Sequence, residues 1–167
     1  KKNAYKITWI TMQFTFWTIG KTNSAEFAQW EADFLKRIKS FTPFESDVLD
    51  VGRGLKQREQ IQLEEGKKVL LKLKPDDYLI LLDERGKIFS SREFAAFIEK
   101  RMISNTNKRI IFLVGGAYGF HESVYQRAND KISLSAMTFS HQLIRLIFLE
   151  QLYRAFTIIN NHPYHND

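Results

Sequence analysis

Apolar runs of strand length recur along the chain, MQFTFWTI at 12–19, VLDV at 48–51, YLILL at 78–82 and IIFLV at 110–114, and the segments between them space their apolar residues three or four apart. Strands alternating with helical segments predict an α/β fold built on a parallel sheet. Asn23, with Glu26 three residues on, reads as a capping box opening a helix that buries Phe27, Trp30, Phe34 and Ile38. Residues 56–74, KQREQIQLEEGKKVLLKLK, predict a charged amphipathic helix whose mixed signs suit a solvated face better than a grip on RNA. The clearest helix start is Ser90 with Glu93, followed by Phe94, Phe97, Ile98 and Met102 on one stripe. A short helical piece near 121–129 and a brief strand at 132–135 lead to the longest helical pattern, 140–159, in which Glu150 and Arg154 have i,i+4 spacing. Apolar residues occupy most of its circumference, which implies cover on two sides, the second being a subunit interface.

With 167 residues, 44% of them hydrophobic, the chain suffices for one domain with a core. It has no cysteine, and His121, His141, His162 and His165 form no ligand pair, so no disulfide and no metal site are expected. No apolar stretch reaches the roughly 18–20 residues of a membrane span, and there is no secretory signal pattern, so a cytoplasmic protein is expected. The net charge is +6, a weak preference for a polyanion. Lys1, Lys2 and Lys6 carry half of it in an acid-free stretch, KKNAYKITWIT, leaving +3 from Met12 onward. Met12 opens the first strand pattern, so residues 1–11 read as an upstream extension and 12–167 as the single domain.

Three loops could carry chemistry. FLVGGAYGF at 112–120 places three of the eight glycines within five positions behind an apolar run, which fits either a tight turn or a ligand pressed against the main chain. It has neither the G-x-G-x-x-G of dinucleotide folds nor the Gly-Lys-Ser/Thr of a phosphate loop. LLDERGK at 81–87 ends a strand in both charges and a glycine, and is either a ligand loop or an ordinary polar one. SLSAMTFSHQ at 133–142 offers backbone groups to an uncharged ligand such as an adenine, or else caps a helix through Thr138 or Ser140. All three follow successive strands and can converge at one sheet edge, where open α/β sheets bind ligands. The tail NNHPYHND is either disordered or supplies an aromatic and two histidines suited to base stacking and proton handling.

LLDERGKIFSS, FLVGGAYGF and LSAMTFSHQLIRLIFLEQLYRAF, closed by Tyr164 and His165, resemble the SPOUT class of methyltransferases, and within it those that modify ribosomal RNA of the large subunit. The similarity runs from about Met12 to the end. It implies a parallel sheet with helices on both faces and a C-terminal deep trefoil knot, a homodimer formed through the knot region, and S-adenosylmethionine bound there in a bent form. It further implies methylation of N3 of a pseudouridine in the intersubunit hairpin of 23S rRNA, on the assembled ribosome. Leu82, Gly115, Leu134, Ser135, Ala136, Met137, Thr138 and Phe139 fall on cofactor positions, with glycine required because a Cβ would meet the cofactor. His141, Arg145, Arg154, Tyr164 and His165 are the candidates to orient or deprotonate the base, Tyr164 and His165 placing substrate and Arg154 giving support. Two departures stand out: Ser140 occupies the place of a proline, and the tail ends Asn166-Asp167 in place of a basic residue. A noncatalytic RNA-binding or ribosome-associated module is the alternative from another class. A nucleotide-binding enzyme such as a dehydrogenase comes third, for want of the dinucleotide fingerprint.

Overall fold

A computed structural model describes residues 12–50, 54–104 and 109–165. The proposed extension at 1–11 and the Asn166-Asp167 tail end lie outside the described residues. In chain order the elements are β1 (Gln13–Ile19), α1 (Ala25–Lys39), β2 (Phe44–Leu49), α2 (Arg58–Lys72), β3 (Asp77–Ile88), α3 (Ser91–Ser104), β4 (Arg109–Val114), α4 (Glu122–Arg127), β5 (Asp130–Ser133) and α5 (Leu143–Ile159). The five strands form one parallel sheet in the order β2-β1-β4-β3-β5. The expected α/β class with a parallel sheet is therefore observed.

Pleating sends alternate side chains to opposite faces. Phe14, Phe16, Ile80, Leu82, Ile110, Phe112 and Val114 enter a core beneath α1, α3 and α5, while Trp17, Ile19, Leu79, Leu81, Ile111 and Leu113 enter a second one beneath α2 and α4. Both faces are thus covered, which is why the strands read as unbroken apolar runs. Phe148 of α5 stacks on Phe16 at 5.1 Å and meets Phe112 at 4.8 Å, fixing the longest helix across the sheet.

Local chemistry shifts several predicted boundaries. The cap of α1 is Ser24, not Asn23: Ser24 Oγ accepts from the Phe27 N–H at 3.2 Å, and the Asn23 N–H donates to Gln142 Oε1 at 2.9 Å. On the predicted buried face of α1 only Ile38 is fully enclosed, because α5 meets the C-terminal half of that helix; Trp30 is 56% exposed. β2 occupies 44–49 where 48–51 was expected, since Phe44 pairs with Phe14 and Leu49 with Ile19 at the sheet edge. β5 likewise covers 130–133, two residues earlier than expected. α3 forms as predicted, with Ser90 Oγ accepting from the Glu93 N–H at 3.3 Å and Glu93 Oε2 accepting from the Ser90 N–H at 2.7 Å.

The charged run after Leu82 is neither a hairpin nor a free loop. Leu82 and Lys87 both oppose Ile132, so β3 bulges out through 83–86 and then resumes. The long helix α5 lies between α1 and α3 and buries nine residues, Arg145 among them. Ile144, Ile147, Glu150, Gln151, Arg154 and Ile158 remain as a half-exposed stripe.

Candidate active site

A cleft of about 810 Å³ opens at the C-terminal edge of β3, β4 and β5. Its floor is the apolar strand ends, Leu82, Val114 and Ile132, and the three loops picked out from the sequence form its walls. Leu82, Gly115, Leu134, Ser135, Met137, Thr138 and Phe139 all line it, whereas Ala136 sits in the same loop without facing the cleft. The volume and the mix of apolar floor with a few polar groups are those of a small-molecule site.

The glycine loop is tightened by a turn at its far end. Gly119 adopts φ +75° and donates its N–H to Gly116 O at 3.2 Å. The glycines before it are packed closely from the protein interior. A Cβ on Gly115 would lie 3.1 Å from the Phe120 ring, and one on Gly116 would lie 2.8 Å from Glu65 Oε1, so both positions are closed by the protein interior. The main chain can therefore come down flat over these groups and present its other side to a ligand.

The loop at 133–142 holds its own shape. Ser133 Oγ donates to Ser135 O at 2.8 Å, and Ser135 Oγ accepts from the Met137 N–H at 2.9 Å. Ser140 accepts from the Leu143 N–H at 3.2 Å and so caps the entry to α5, while Thr138 reaches Glu84. Of the two capping residues considered, Ser140 fills the role.

Acidic groups edge the cleft from the β3 bulge. Tyr125 donates its hydroxyl to Asp83 Oδ2 at 2.5 Å, the Arg85 N–H donates to Asp83 Oδ1 at 2.9 Å, and the Arg85 guanidinium lies over the Tyr125 ring at 4.8 Å. Burial pushes the Asp83 carboxyl up, but these hydrogen bonds outweigh it and hold the group below its usual range. The rim carries both signs, Asp83 and Glu84 beside Arg85 and Arg58, over an apolar floor that suits a flat group such as an adenine.

The five candidate catalytic residues fall into separate places. His141 alone lines the cleft, half-buried, and burial together with the nearby Arg145 guanidinium lowers its imidazole below the usual histidine value. Arg145 is 1% exposed; it donates to Ile19 O at 2.7 Å and to Thr22 Oγ1 at 3.0 Å, with Thr22 donating in turn to Glu31. It thereby ties the β1–α1 loop to the first turn of α5, as Gln142 does through Asn23. Sequence alone missed this structural use, although an arginine amid apolar neighbours on a helix is the kind of signal that marks a buried polar anchor.

Arg154, Tyr164 and His165 gather with Glu150 on the exposed stripe of α5. Arg154 donates to Glu150 Oε1 at 2.6 Å, its guanidinium sits 4.9 Å from the Tyr164 ring centre, Tyr164 donates to Glu150 Oε1 at 3.2 Å, and His165 Nδ1 lies 3.3 Å from Arg154 Nη1. None of the four lines the cleft of its own chain. Burial first, and then Glu150, push the Tyr164 phenol up. Among the described residues no group of three or more His, Cys, Asp or Glu could hold a metal ion, and no helix is long and apolar enough to cross a membrane.

Comparison with known proteins fits this site to a family. Ribosomal RNA large subunit methyltransferase H of Parabacteroides distasonis is 48% identical over 151 residues, spanning 89% of this chain and 96% of that protein. The proteins of the same name from Porphyromonas gingivalis and Cytophaga hutchinsonii are 46% and 47% identical, each match spanning 93% of this chain and the whole of the relative. The solved structure of a probable methyltransferase from Bordetella pertussis Tohama I shares the fold, with a TM-score of 0.51 at 11% identity over 89% of this chain and 95% of that one. The family profile described as predicted SPOUT methyltransferase matches residues 12–165. The chain belongs to the SPOUT methyltransferase family.

Proposed function

We propose that this protein is an S-adenosylmethionine-dependent methyltransferase of large-subunit ribosomal RNA, acting at N3 of a pseudouridine in the intersubunit hairpin of 23S rRNA on the assembled ribosome. The observation that carries the reading is the convergence of the 82–86, 115–120 and 133–142 loops on one apolar-floored cleft. Relatives that match this chain over their whole length and bear the name of a ribosomal RNA large subunit methyltransferase give the substrate class.

When bound, S-adenosylmethionine supplies a methyl group activated on a sulfonium. Leu82, Leu134 and Phe139 enclose the adenine and exclude water, while backbone groups of 133–139 read its polar edge. The N3 proton must leave for the nitrogen to accept a methyl group, and His141, which faces the cleft and whose imidazole is held below the usual histidine value, would be the group to take it. Arg145 positions His141 and the α5 entry without touching substrate.

In the same reading the segment from β4 to α5 forms a deep trefoil knot, in keeping with a chain that passes from β4 across β3 to reach β5. Two chains pair along the half-exposed stripe of α5, so that Tyr164 and His165 of one protomer serve substrate at the cleft of its partner. The protein works in the cytoplasm, on ribosomes and without a metal.

The test is titration calorimetry with S-adenosylmethionine, followed by methyl transfer to intact ribosomes and mass mapping of 23S rRNA. Saturable binding, and a single methyl on the hairpin pseudouridine, are expected. RNA binding with neither cofactor binding nor methyl transfer would make the protein a noncatalytic ribosome-associated module instead.

A further inference from the structure

Among the described residues, Glu65 is an acidic side chain whose situation the proposed reaction leaves unexplained. It lies in the middle of α2, 8% exposed, and its Oε2 has no hydrogen-bond partner. Its carboxylate is pressed against the main chain at Gly116, where a Cβ would lie 2.8 Å from Oε1 and 3.1 Å from Oε2. Gly116 lines the cleft on its other side. Arg58 and Gln62, seven and three residues earlier on the same face of α2, also line the cleft, and Gln62 donates to Tyr118 O at 2.7 Å, so this helix face forms the back of the glycine loop.

We infer that Glu65 is the counter-charge by which the glycine loop tells the sulfonium cofactor from the uncharged thioether left after methyl transfer. The inference rests on the proposed function, in deepening it. A buried carboxylate without a partner is unfavourable unless a cation comes near. Burial alone pushes the Glu65 carboxyl up to about 7. The groups on the elements packed against α2 have other partners: His121, the cap of α4, is bound to Ser123 at 2.9 Å, Tyr125 of α4 donates to Asp83, Arg127 of α4 donates to Lys74 O and Asp77 O, and Asp47, on β2, is paired with Lys72 at 3.1 Å. Arg58 lies two turns away over the Tyr118 ring.

A sulfonium brought to the cleft across the single layer of backbone at Gly115 and Gly116 supplies the missing positive charge. Glu65 then gives its proton to solvent and stays ionised while the cofactor is bound. Once the methyl has gone, the ligand sulfur is neutral, Glu65 regains a proton, and the thioether is held less tightly. Asp83 on the rim, held below its usual range by its hydrogen bonds and paired with Arg85, takes no part in this proton exchange.

The experiment measures proton exchange on binding, by titrating the full chain at pH 7 in phosphate and in Tris, which differ in ionisation enthalpy, with S-adenosylmethionine and separately with S-adenosylhomocysteine. On the order of half a proton should be released per S-adenosylmethionine bound, and close to none for S-adenosylhomocysteine. The release should vanish near pH 8.5, where Glu65 is ionised beforehand, and this wild-type series needs no variant. In Glu65→Gln the release at pH 7 should disappear and the preference for S-adenosylmethionine over S-adenosylhomocysteine should fall about tenfold. Equal release with both ligands, release that persists at pH 8.5, or release unchanged in Glu65→Gln would overturn the inference while leaving the methyltransferase reading intact. Failure of wild type to bind either ligand would overturn that reading itself, and this inference with it.

Discussion

Replacing Gly86 by alanine should unseat one wall of the cleft from a distance. Gly86 closes the bulge of β3, where Leu82 and Lys87 both oppose Ile132. A Cβ there would lie 2.5, 2.6 and 2.7 Å from the carbonyl carbon, nitrogen and Cα of Ile132. Carbon atoms in good contact stand about 3.5–4.0 Å apart, so β5 would have to retreat by about 1 Å. The obstacle is backbone on both sides, and no side chain can swing away to relieve it. Overpacking of this kind costs about 1–3 kcal/mol, and loosening two ladder hydrogen bonds between β3 and β5 adds about 1 kcal/mol each, for a total of about 3–5 kcal/mol. That is a large part of the 5–15 kcal/mol typical of a domain. Because β5 runs directly into the 133–142 loop, S-adenosylmethionine affinity should fall at least tenfold as well. Urea denaturation and calorimetry read the two effects. Gly115→Ala is the control: its Cβ meets the Phe120 ring at 3.1 Å, a side chain able to yield a few tenths of an ångström, and it should cost under about 1.5 kcal/mol. A Gly86→Ala protein within 1 kcal/mol of wild type and with unchanged affinity would refute the reasoning.

Three further outcomes follow from the same structure. Arg145→Met should lower stability by about 2–3 kcal/mol, since it leaves Ile19 O and Thr22 without their donor; a variant as stable as wild type in urea yet devoid of methyl transfer would instead assign Arg145 to the substrate. Ser90→Ala should cost about 1 kcal/mol in thermal or urea unfolding through loss of the α3 cap, with cofactor binding unaffected. Glu65 has its folded-state pKa raised from 4.5 to about 7, so its contribution is most favourable below pH 4.5 and is lost as pH rises through 7. Glu65→Gln should therefore be more stable than wild type at pH 8, by up to about 3 kcal/mol, with the gap closing toward pH 4.5; a gap independent of pH would contradict the sign.

The parallel sheet was legible because strands buried on both faces have to be apolar at every position, and YLILL and IIFLV satisfy that without polar interruption. β2 was misplaced for the converse reason: it is an edge strand, its FESDVL sequence buries only Phe44 and Leu49 at its ends, and only pairing with β1 sets its register. The Ser90–Glu93 box is local chemistry and was read correctly. At Asn23 the same pattern failed by one residue, because a contact 119 positions away, from Gln142, takes the Asn23 N–H and leaves Ser24 to cap. The three cleft loops could be found from glycine and small polar residues at strand ends. The packing of Glu65 beneath Gly116 could not, since it joins α2 to the loop after β4 and leaves no trace in the spacing of either segment.

The division of the candidate catalytic residues bears on which of them would accept the N3 proton in the proposed reaction. A base must be unprotonated at working pH and must have a lone pair free to receive a proton. Tyr164 fails on the first count: burial and the Glu150 carboxylate raise its phenol, and it is itself donating a hydrogen bond to Glu150. Arg154 fails as any guanidinium does, and its charge is already matched by Glu150 at 2.6 Å, so it braces the Tyr164 ring more readily than it attracts a new anion. Arg145 is fully enclosed, a guanidinium whose Nη atoms are committed to Ile19 and Thr22. His141 differs from all three, because burial and the adjacent Arg145 charge both favour its neutral form, and it already faces the cleft. The same guanidinium that keeps His141 neutral also makes it a weaker base, which suits an acceptor for a weakly acidic imide N–H that must give the proton up again to water after each turnover. On this argument the methyl-transfer rate should fall steeply as pH drops through the lowered His141 value, and His141→Gln should abolish that dependence while cofactor binding survives.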